Sequence, residues 1–227
     1  MLLLVTDTSG RNGSVALARA SDGLAPNDVH LIEESPLAGG TFSAQLVPQI
    51  AALLTKHGFG KTDIGAYVVV SGPGSFTGLR VGLAAIKALA EILKKPIVPV
   101  SPLEVLAIAS GVRGRVVSTL DAGRGDLYVG EYDVGDEGAQ VVRERLLTKD
   151  EGLLLARAST LATPDEALAA AARDAGNSVC LITLPGTETI ARVGLGKLRG
   201  GVTVTPEELE ANYIRRSDAE IFAKPAS

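Results

Sequence analysis

Residues 4–13 read Leu4-Val5-Thr6-Asp7-Thr8-Ser9-Gly10-Arg11-Asn12-Gly13, and residues 120–126 read Leu120-Asp121-Ala122-Gly123-Arg124-Gly125-Asp126. Each stretch carries an apolar strand to an aspartate, turns through glycine and arginine, and enters another strand. An aspartate at a strand end bonds its own turn, and glycine supplies the backbone angles other residues resist. Working outward from the first stretch, strand patterns fall at about residues 2–6, 14–20 and 29–35. Turn signals at Ser9–Gly13, Asp22-Gly23 and Pro26-Asn27-Asp28 separate them. A helical pattern near 43–57 follows, then the apolar strand 66–71, a glycine-rich turn, a long helix near 76–94 and a short strand at 97–100. From the second stretch the order returns: strands near 116–120, 127–133 and 140–147, helices near 149–158 and 165–175, a strand near 179–183 and a helix near 188–198. Past Pro206 the pattern predicts a charged helical turn and an extended stretch around Tyr213. Two strand-strand-strand-helix blocks imply an internal duplication. The expected architecture is α/β with two related lobes, residues 1–110 and a smaller 111–227. No Pro/Ser/Gly linker divides them, so the lobes are expected to pack together.

The 227 residues are 46% hydrophobic but only 4% aromatic, with no Trp, so Ala, Leu, Val and Gly must fill the core. Net charge is −4. A chain that grips a nucleic-acid backbone by itself carries a basic patch, and only short clusters such as Arg113/Arg115 and Arg215/Arg216 occur here. Any RNA contact is therefore expected to run through a partner. The single cysteine, Cys180, excludes an internal disulfide, and its apolar surroundings read as core packing. The opening run Met1–Val5 is too short for a signal or membrane span, so a cytoplasmic protein without membrane association is expected.

The sharpest local pattern is Ser71-Gly72-Pro73-Gly74-Ser75-Phe76-Thr77-Gly78-Leu79-Arg80-Val81-Gly82, between a buried strand and a helix. Free N–H groups at such a helix start suit a phosphate. The run lacks the Gly-Lys-Ser/Thr of a P-loop and the spacing of a dinucleotide fingerprint, and a structural turn capped by Ser75 is the favoured reading. The following helix confines its charges to Arg80, Lys87, Glu91 and Lys94. Gly78, Gly82 and Ala85 share one face, and glycine inside a helix costs about 1 kcal/mol relative to Ala, so a close backbone approach is expected there. The earlier helix offers Leu46, Ile50, Leu53 and Leu54 on one face, which Val47 and Ala51 broaden. These surfaces bury against each other within the monomer or against a second protein; both readings are open. On the second reading Gly82→Leu is expected to block assembly and leave the monomer folded.

Asp7 and Asp121, at corresponding strand ends, either hold a hydrated metal across a cleft or cap their own turns. The two histidines, His30 and His57, are far apart and form no metal-binding pair, so neither a metal site nor a set of catalytic residues is visible.

Leu4–Ser9 with Gly13–Leu17, the run Gly72–Gly82, Leu120–Tyr128 and Asn212-Tyr213-Ile214-Arg215 together resemble, in order and over nearly the whole chain, the signatures of the TsaB (YeaZ) family. The resemblance implies an actin-like ATPase fold (ASKHA, ribonuclease H-like) with a degenerate second lobe. It implies a non-catalytic partner of a TsaD-like transferase that places threonylcarbamoyl on the adenosine beside the anticodon of tRNA, with a TsaE-like ATPase joining the complex. The family contact uses first-lobe helices, which here corresponds to Leu46, Ile50, Leu53, Gly78, Gly82, Ala85 and Leu89. Asp7, Thr8, Ser9 and Asp121 correspond to a vestigial nucleotide cleft, with ATP and Mg expected only in the complex and a homodimer through the same helices when alone. Two positions depart from the family: Phe42-Ser43 replaces a His-Ser or His-Thr pair, and Thr163-Pro164-Asp165 replaces a Gly-x-Gly turn. Both weigh against independent nucleotide or metal binding. The alternative readings are an ATP-dependent phosphotransferase of the sugar- or acetate-kinase class, with Asp7 and Asp121 holding magnesium, and a metallopeptidase, which the missing histidine pairs disfavour.

Overall fold

The computed structural model describes residues 1–21, 29–136 and 138–215. The turn signals at Asp22-Gly23 and Pro26-Asn27-Asp28, and the basic residue Arg216, lie outside the described residues. Strands β1 (Leu2–Asp7), β2 (Gly13–Ala20) and β3 (Val29–Leu37) form an antiparallel meander, to which β4 (Ile64–Val70) and β5 (Ile97–Val100) add in parallel on the β1 side. The order is β3-β2-β1-β4-β5. Strands β6 (Gly114–Gly123), β7 (Asp126–Val134), β8 (Ala139–Thr148), β9 (Thr160–Thr163) and β10 (Ser178–Leu181) build a second sheet. From its meander end that sheet reads β8-β7-β6-β9-β10, the same order and the same mixture of directions.

The helices complete the repeat. α1 (Phe42–Lys56), α2 (Phe76–Leu93) and α3 (Pro102–Ala109) follow β3, β4 and β5, and α4 (Lys149–Leu155), α5 (Glu166–Asp174) and α6 (Thr187–Arg199) follow β8, β9 and β10. The duplication inferred from the paired Asp/Gly turns is thus present in full. The topology is that of the ribonuclease H-like, actin-type fold. The degeneracy of the second lobe is one of size: α4 and α5 have 7 and 9 residues, where α1 and α2 have 15 and 18.

The first sheet is covered on both faces, which is why its central strands are continuous apolar runs. Leu2, Leu4, Val15, Leu17 and Val69 meet Leu46, Ile50 and Leu53 of α1 and Leu83 and Ile86 of α2. On the opposite face Leu3, Val5, Ala66 and Val68 meet Ile190, Ala191, Val193 and Leu195 of α6. Successive side chains of a strand alternate between these two cores. α6 comes so close to β4 that a Cβ on Gly194 would lie 2.4 Å from Val68 Cγ1.

The last helix of each repeat covers the other repeat's sheet. α3 buries Leu103 and Ala107 among Val116, Tyr132 and Ala162 of the second sheet, while α6 lies on the first. Lys197 of α6 bonds Glu104 of α3 at 2.8 Å where the two helices meet. The chain therefore crosses the division drawn at residue 110 more than once. After α6, Val204 bridges Ile97 on the edge of β5, and Leu209 is buried in the first core.

Two elements carried no signal in the sequence pattern. α3 is buried on successive positions from Leu103 to Ala107, so it shows no polar stripe by which to recognise it. β9 reads Thr-Leu-Ala-Thr and lacks the apolar run that marks the equally short β5, Ile-Val-Pro-Val. Pro48 falls inside α1 with its neighbours Val47 and Ala51 exposed, and the helix continues through it.

The glycines of α2 have an intramolecular cause. A Cβ on Gly78 would lie 2.1 Å from the Thr8 carbonyl oxygen, and one on Gly82 would lie 2.3 Å from Thr8 Oγ1. In the loop before the helix, a Cβ on Gly74 would lie 2.4 Å from the Ser9 carbonyl oxygen. The close approach expected from the sequence is made by the end of β1, and the expectation that Gly82→Leu spares the monomer is corrected accordingly. Gly82→Leu must push α2 off β1 and is expected to cost about 1–3 kcal/mol. Urea unfolding checks this: the midpoint falls with the slope unchanged.

Candidate functional site

The last residues of β1 and the first turns of α1 and α2 converge beside the β6–β7 turn. Between them opens a cleft of about 620 Å³, lined by Ser9, Arg11, Phe42, Ser75, Gly78, Asp121 and Tyr128 among others. Neither α1 nor α2 carries an acidic residue in its first turn, so the positive ends of both helix dipoles and Arg11 bias the cleft toward negative charge. Asp121 opposes them from the second lobe. The Ser75 hydroxyl accepts from Gly78 N–H at 3.3 Å, and the Ser75 N–H donates to the Ser9 carbonyl at 2.7 Å. Ser75 is thus the cap read from the sequence, and its backbone also pins the loop to the end of β1.

Of the four residues assigned to a vestigial nucleotide cleft, Ser9 and Asp121 line the cavity; Thr8 and Asp7 do not. Thr8 is buried beneath Gly78 and Gly82. The Asp7 carboxylate accepts from Ser9 N–H at 2.8 Å and from the Ser9 hydroxyl at 2.6 Å. Burial pushes its pKa up; the two Ser9 bonds pull the other way and nearby Glu34 adds to the rise. Asp121 accepts from Gly123 N–H at 2.9 Å. Each aspartate therefore caps its own turn, and the two do not converge on one ion. Among the described residues no three His, Cys, Asp or Glu side chains are grouped to hold a metal. For both aspartates the bond to the turn is made by Oδ1 of the carboxylate. His57 bonds Glu33 at 2.8 Å and Lys56 bonds the same carboxylate, tying the end of α1 to β3, while His30 is exposed on β3.

The two departures from the family pattern have structural roles. Phe42 is buried, and its ring carbons lie 3.1 Å from where a Cβ would stand on Gly13 or Gly78. The ring fills space at the side of the cleft that a histidine would leave polar. Thr163 Oγ1 accepts from Asp165 N–H at 3.2 Å, and Asp165 caps α5 by accepting from Leu168 N–H at 3.0 Å.

The helical surface differs from the one expected. Leu46, Ile50, Leu53, Gly78 and Gly82 point inward and are buried, and they belong to the first core. Ala85 and Leu89 are half-buried at its margin. The exposed residues of the same two helices include Ala44, Val47, Pro48, Ala51 and Ala52 on α1 and Ala84, Ala88 and Ile92 on α2, together with the polar Ser43, Thr55, Lys56, Thr77, Arg80 and Glu91. Val47 is 54% and Ile92 71% exposed. α1 and α2 lie side by side on one face of the sheet, so the apolar members of this set share one outer surface with those polar residues. The signal that could have located it was the phase of the glycines: once Gly78 and Gly82 face in, Ala84 and Ala88 face out. Among the described residues no helix is long and apolar enough to cross a membrane.

Comparison with known proteins agrees with this architecture. Residues 36–193 match the family model described as TsaD, tRNA N6-adenosine threonylcarbamoyltransferase. The tRNA threonylcarbamoyladenosine biosynthesis protein TsaB of Escherichia coli is 27% identical over 231 residues, covering 96% of each chain. The Bacillus subtilis protein of the same name is 35% identical over 134 residues, covering 58% of this chain and 55% of that one. The solved structure of YeaZ from Pseudomonas aeruginosa superposes with a TM-score of 0.71 at 22% identity, covering 93% of this chain and 99% of that one. That likeness bears on the fold.

The buried Asp7 gives a prediction with a defined sign. Its pKa is raised above the ordinary 3.8, so the folded state holds the proton more tightly and loses stability as pH rises from that value through the folded one. Asp7→Asn keeps an acceptor for Ser9 and removes the charge. It is expected to raise Tm at pH 7, with the gain vanishing in acid where Asp7 is itself neutral; calorimetric scans across pH measure both.

Proposed function

The chain belongs to the TsaB (YeaZ) family, within the reach of the TsaD family model, and from that premise we propose that it is a non-catalytic partner of a TsaD-type transferase in tRNA threonylcarbamoyladenosine biosynthesis. On this reading it docks through the exposed faces of α1 and α2, and the partner carries the active site, the metal and the transfer of threonylcarbamoyl to the adenosine beside the anticodon. A TsaE-like ATPase joins the assembly, and tRNA is reached through the transferase. A net charge of −4 and the absence of a long basic run fit a chain that does not grip RNA by itself. The work is cytoplasmic, where the tRNA is.

The observation that carries the proposal is the surface of Val47, Ala51, Ala84, Ala88 and Ile92. Helices whose outer positions are alanine allow another helix to approach closely, and two adjacent faces of this kind leave apolar area that a partner helix pair covers. When no transferase is present the same surface closes on a second copy about a two-fold axis, giving a homodimer that exchanges for the heterodimer. The isolated chain binds neither nucleotide nor magnesium on this reading. Asp7 is committed to Ser9, Phe42 occupies the side of the cleft, and Asp121 has no second carboxylate across from it.

Size-exclusion chromatography with light scattering, on the chain alone and mixed with a TsaD-type transferase, tests this. A one-to-one complex is expected with the native chain. Ala51→Arg and Ala88→Arg place a long cation on exposed positions, so stability is expected to stay within about 0.5 kcal/mol. Affinity is expected to fall at least about tenfold, ~1.4 kcal/mol. Native-strength assembly by both variants would sink the proposed surface.

A further inference from the structure

Within four residues, Asn212–Arg215 binds both lobes and the outer side of α2. The Asn212 N–H donates to the Ser71 carbonyl at 2.8 Å, at the end of β4. Its side-chain amide donates to Glu144 of β8, a carboxylate that also accepts from Tyr132 of β7 and, at 2.5 Å, from Ser101 at the start of α3. Gly72 has no side chain because one would stand 2.9 Å from the Asn212 carbonyl oxygen. Tyr213 turns back onto α2: its ring lies 4.8 Å from that of Phe76, and its hydroxyl accepts from Arg80 Nε at 3.3 Å. The Arg80 guanidinium sits 3.8 Å over the Phe76 ring. Ile214 packs on the second lobe's core, and Arg215 donates to the Ala122 carbonyl at 2.8 Å and pairs with Asp126.

Ala122 and Asp126 bracket the β6–β7 turn that lines the cleft from the second lobe. Three residues of that turn, Gly123, Arg124 and Gly125, hold φ values of 74°, 61° and 84°. Asp121 holds this turn from within by accepting from Gly123 N–H, and Arg215 adds a hold from outside it, two residues from the tyrosine that grips α2. The links made by Tyr213 and Arg215 are exposed or half-buried, so each shifts an opening equilibrium by only about two- to fivefold. A chain of such links can be released without unfolding either lobe.

We propose that Asn212–Arg215 is a clasp that couples the outer face of α2 to the closure of the cleft between the lobes. What engages Arg80 alters its hold on Tyr213, and the change passes through the bend at Ile214 and Arg215 to the β6–β7 turn. That a transferase is what engages Arg80 rests on the docking reading; the coupling itself does not. By linkage it runs both ways, so loosening the turn loosens Tyr213 on α2.

Hydrogen exchange measured by mass spectrometry on the free chain tests the clasp. Arg80 is exposed and touches Phe76 and Tyr213, so Arg80→Ala is expected to leave Tm unchanged. It should speed exchange about two- to fivefold in residues 209–215 and also in 121–128 of the other lobe, with β4 and residues 114–120 of β6 unaffected. Asp126→Asn is expected to speed exchange in 209–215 and around Phe76. Faster exchange confined to α2 and the tail, with 121–128 at the native rate in both variants, overturns the proposal. Should Arg80→Ala lower protection everywhere, Tyr213→Phe, which deletes only the acceptor hydroxyl, decides by the same two criteria. A failure to form a complex in the light-scattering experiment would remove the docking reading and leave this result standing.

Discussion

The structure depends on how closely the end of β1 meets α2. Thr8 and Ser9 occupy the space that side chains would take at Gly74, Gly78 and Gly82, and no other residue type fits there without moving the helix. That contact seats the helix on the first sheet, presses the loop before it against the β1–β2 turn, and fixes the rotation of α2 about its own axis. Rotation then decides everything visible from outside. With two glycines turned in, Leu79, Leu83 and Ile86 enter the core and Arg80, Ala84 and Ala88 face out. The proposed docking surface is the reverse side of an intramolecular interlock. The two glycines whose cost suggested a partner interface are explained by a neighbour in the same chain.

A second constraint comes from the duplication. Each repeat lends its last helix to the other's sheet, so neither lobe has a complete core without its neighbour. This accounts for a chain with so few aromatic side chains behaving as one body: Leu103 and Ala107 go one way, Ile190, Ala191 and Leu195 the other, and Glu104 and Lys197 pair where they cross. Shortening α4 and α5 then trims the second lobe without touching the exchange. What remains between the lobes is a cleft whose walls are held by local bonds. Asp7 is bound to Ser9, Asp121 to Gly123, and Ser75 to Gly78 and Ser9.

Much of the fold was legible because each sheet begins with an apolar strand, an aspartate and a glycine turn, a pattern strong enough to be seen twice. Elements with a polar side showed their period. α3 did not, since it is wrapped on most sides, and β9 did not, since threonines flank its Leu161 and Ala162 and leave no apolar run. The site was less legible. Hydrophobicity marks a face as buried without naming what buries it, so Leu46, Ile50 and Leu53 read equally as core or interface and proved to be core. The alanines that form the outer surface are too weakly apolar to stand out in a sequence. Their orientation follows only after the glycines have been placed against Thr8. The tail contacts of Tyr213 and Arg215 link residues about ninety or more positions apart, beyond any local pattern.

A photoreactive amino acid placed at residue 88, in a mixture of this chain with a TsaD-type transferase, reports most directly on whether the outward face of α2 is the docking surface. The account predicts a covalent adduct with the transferase from position 88 and none from position 140 on the exposed edge of the second lobe. Adducts from position 140 with none from position 88 would contradict it, and would leave the glycine interlock as a feature of folding alone.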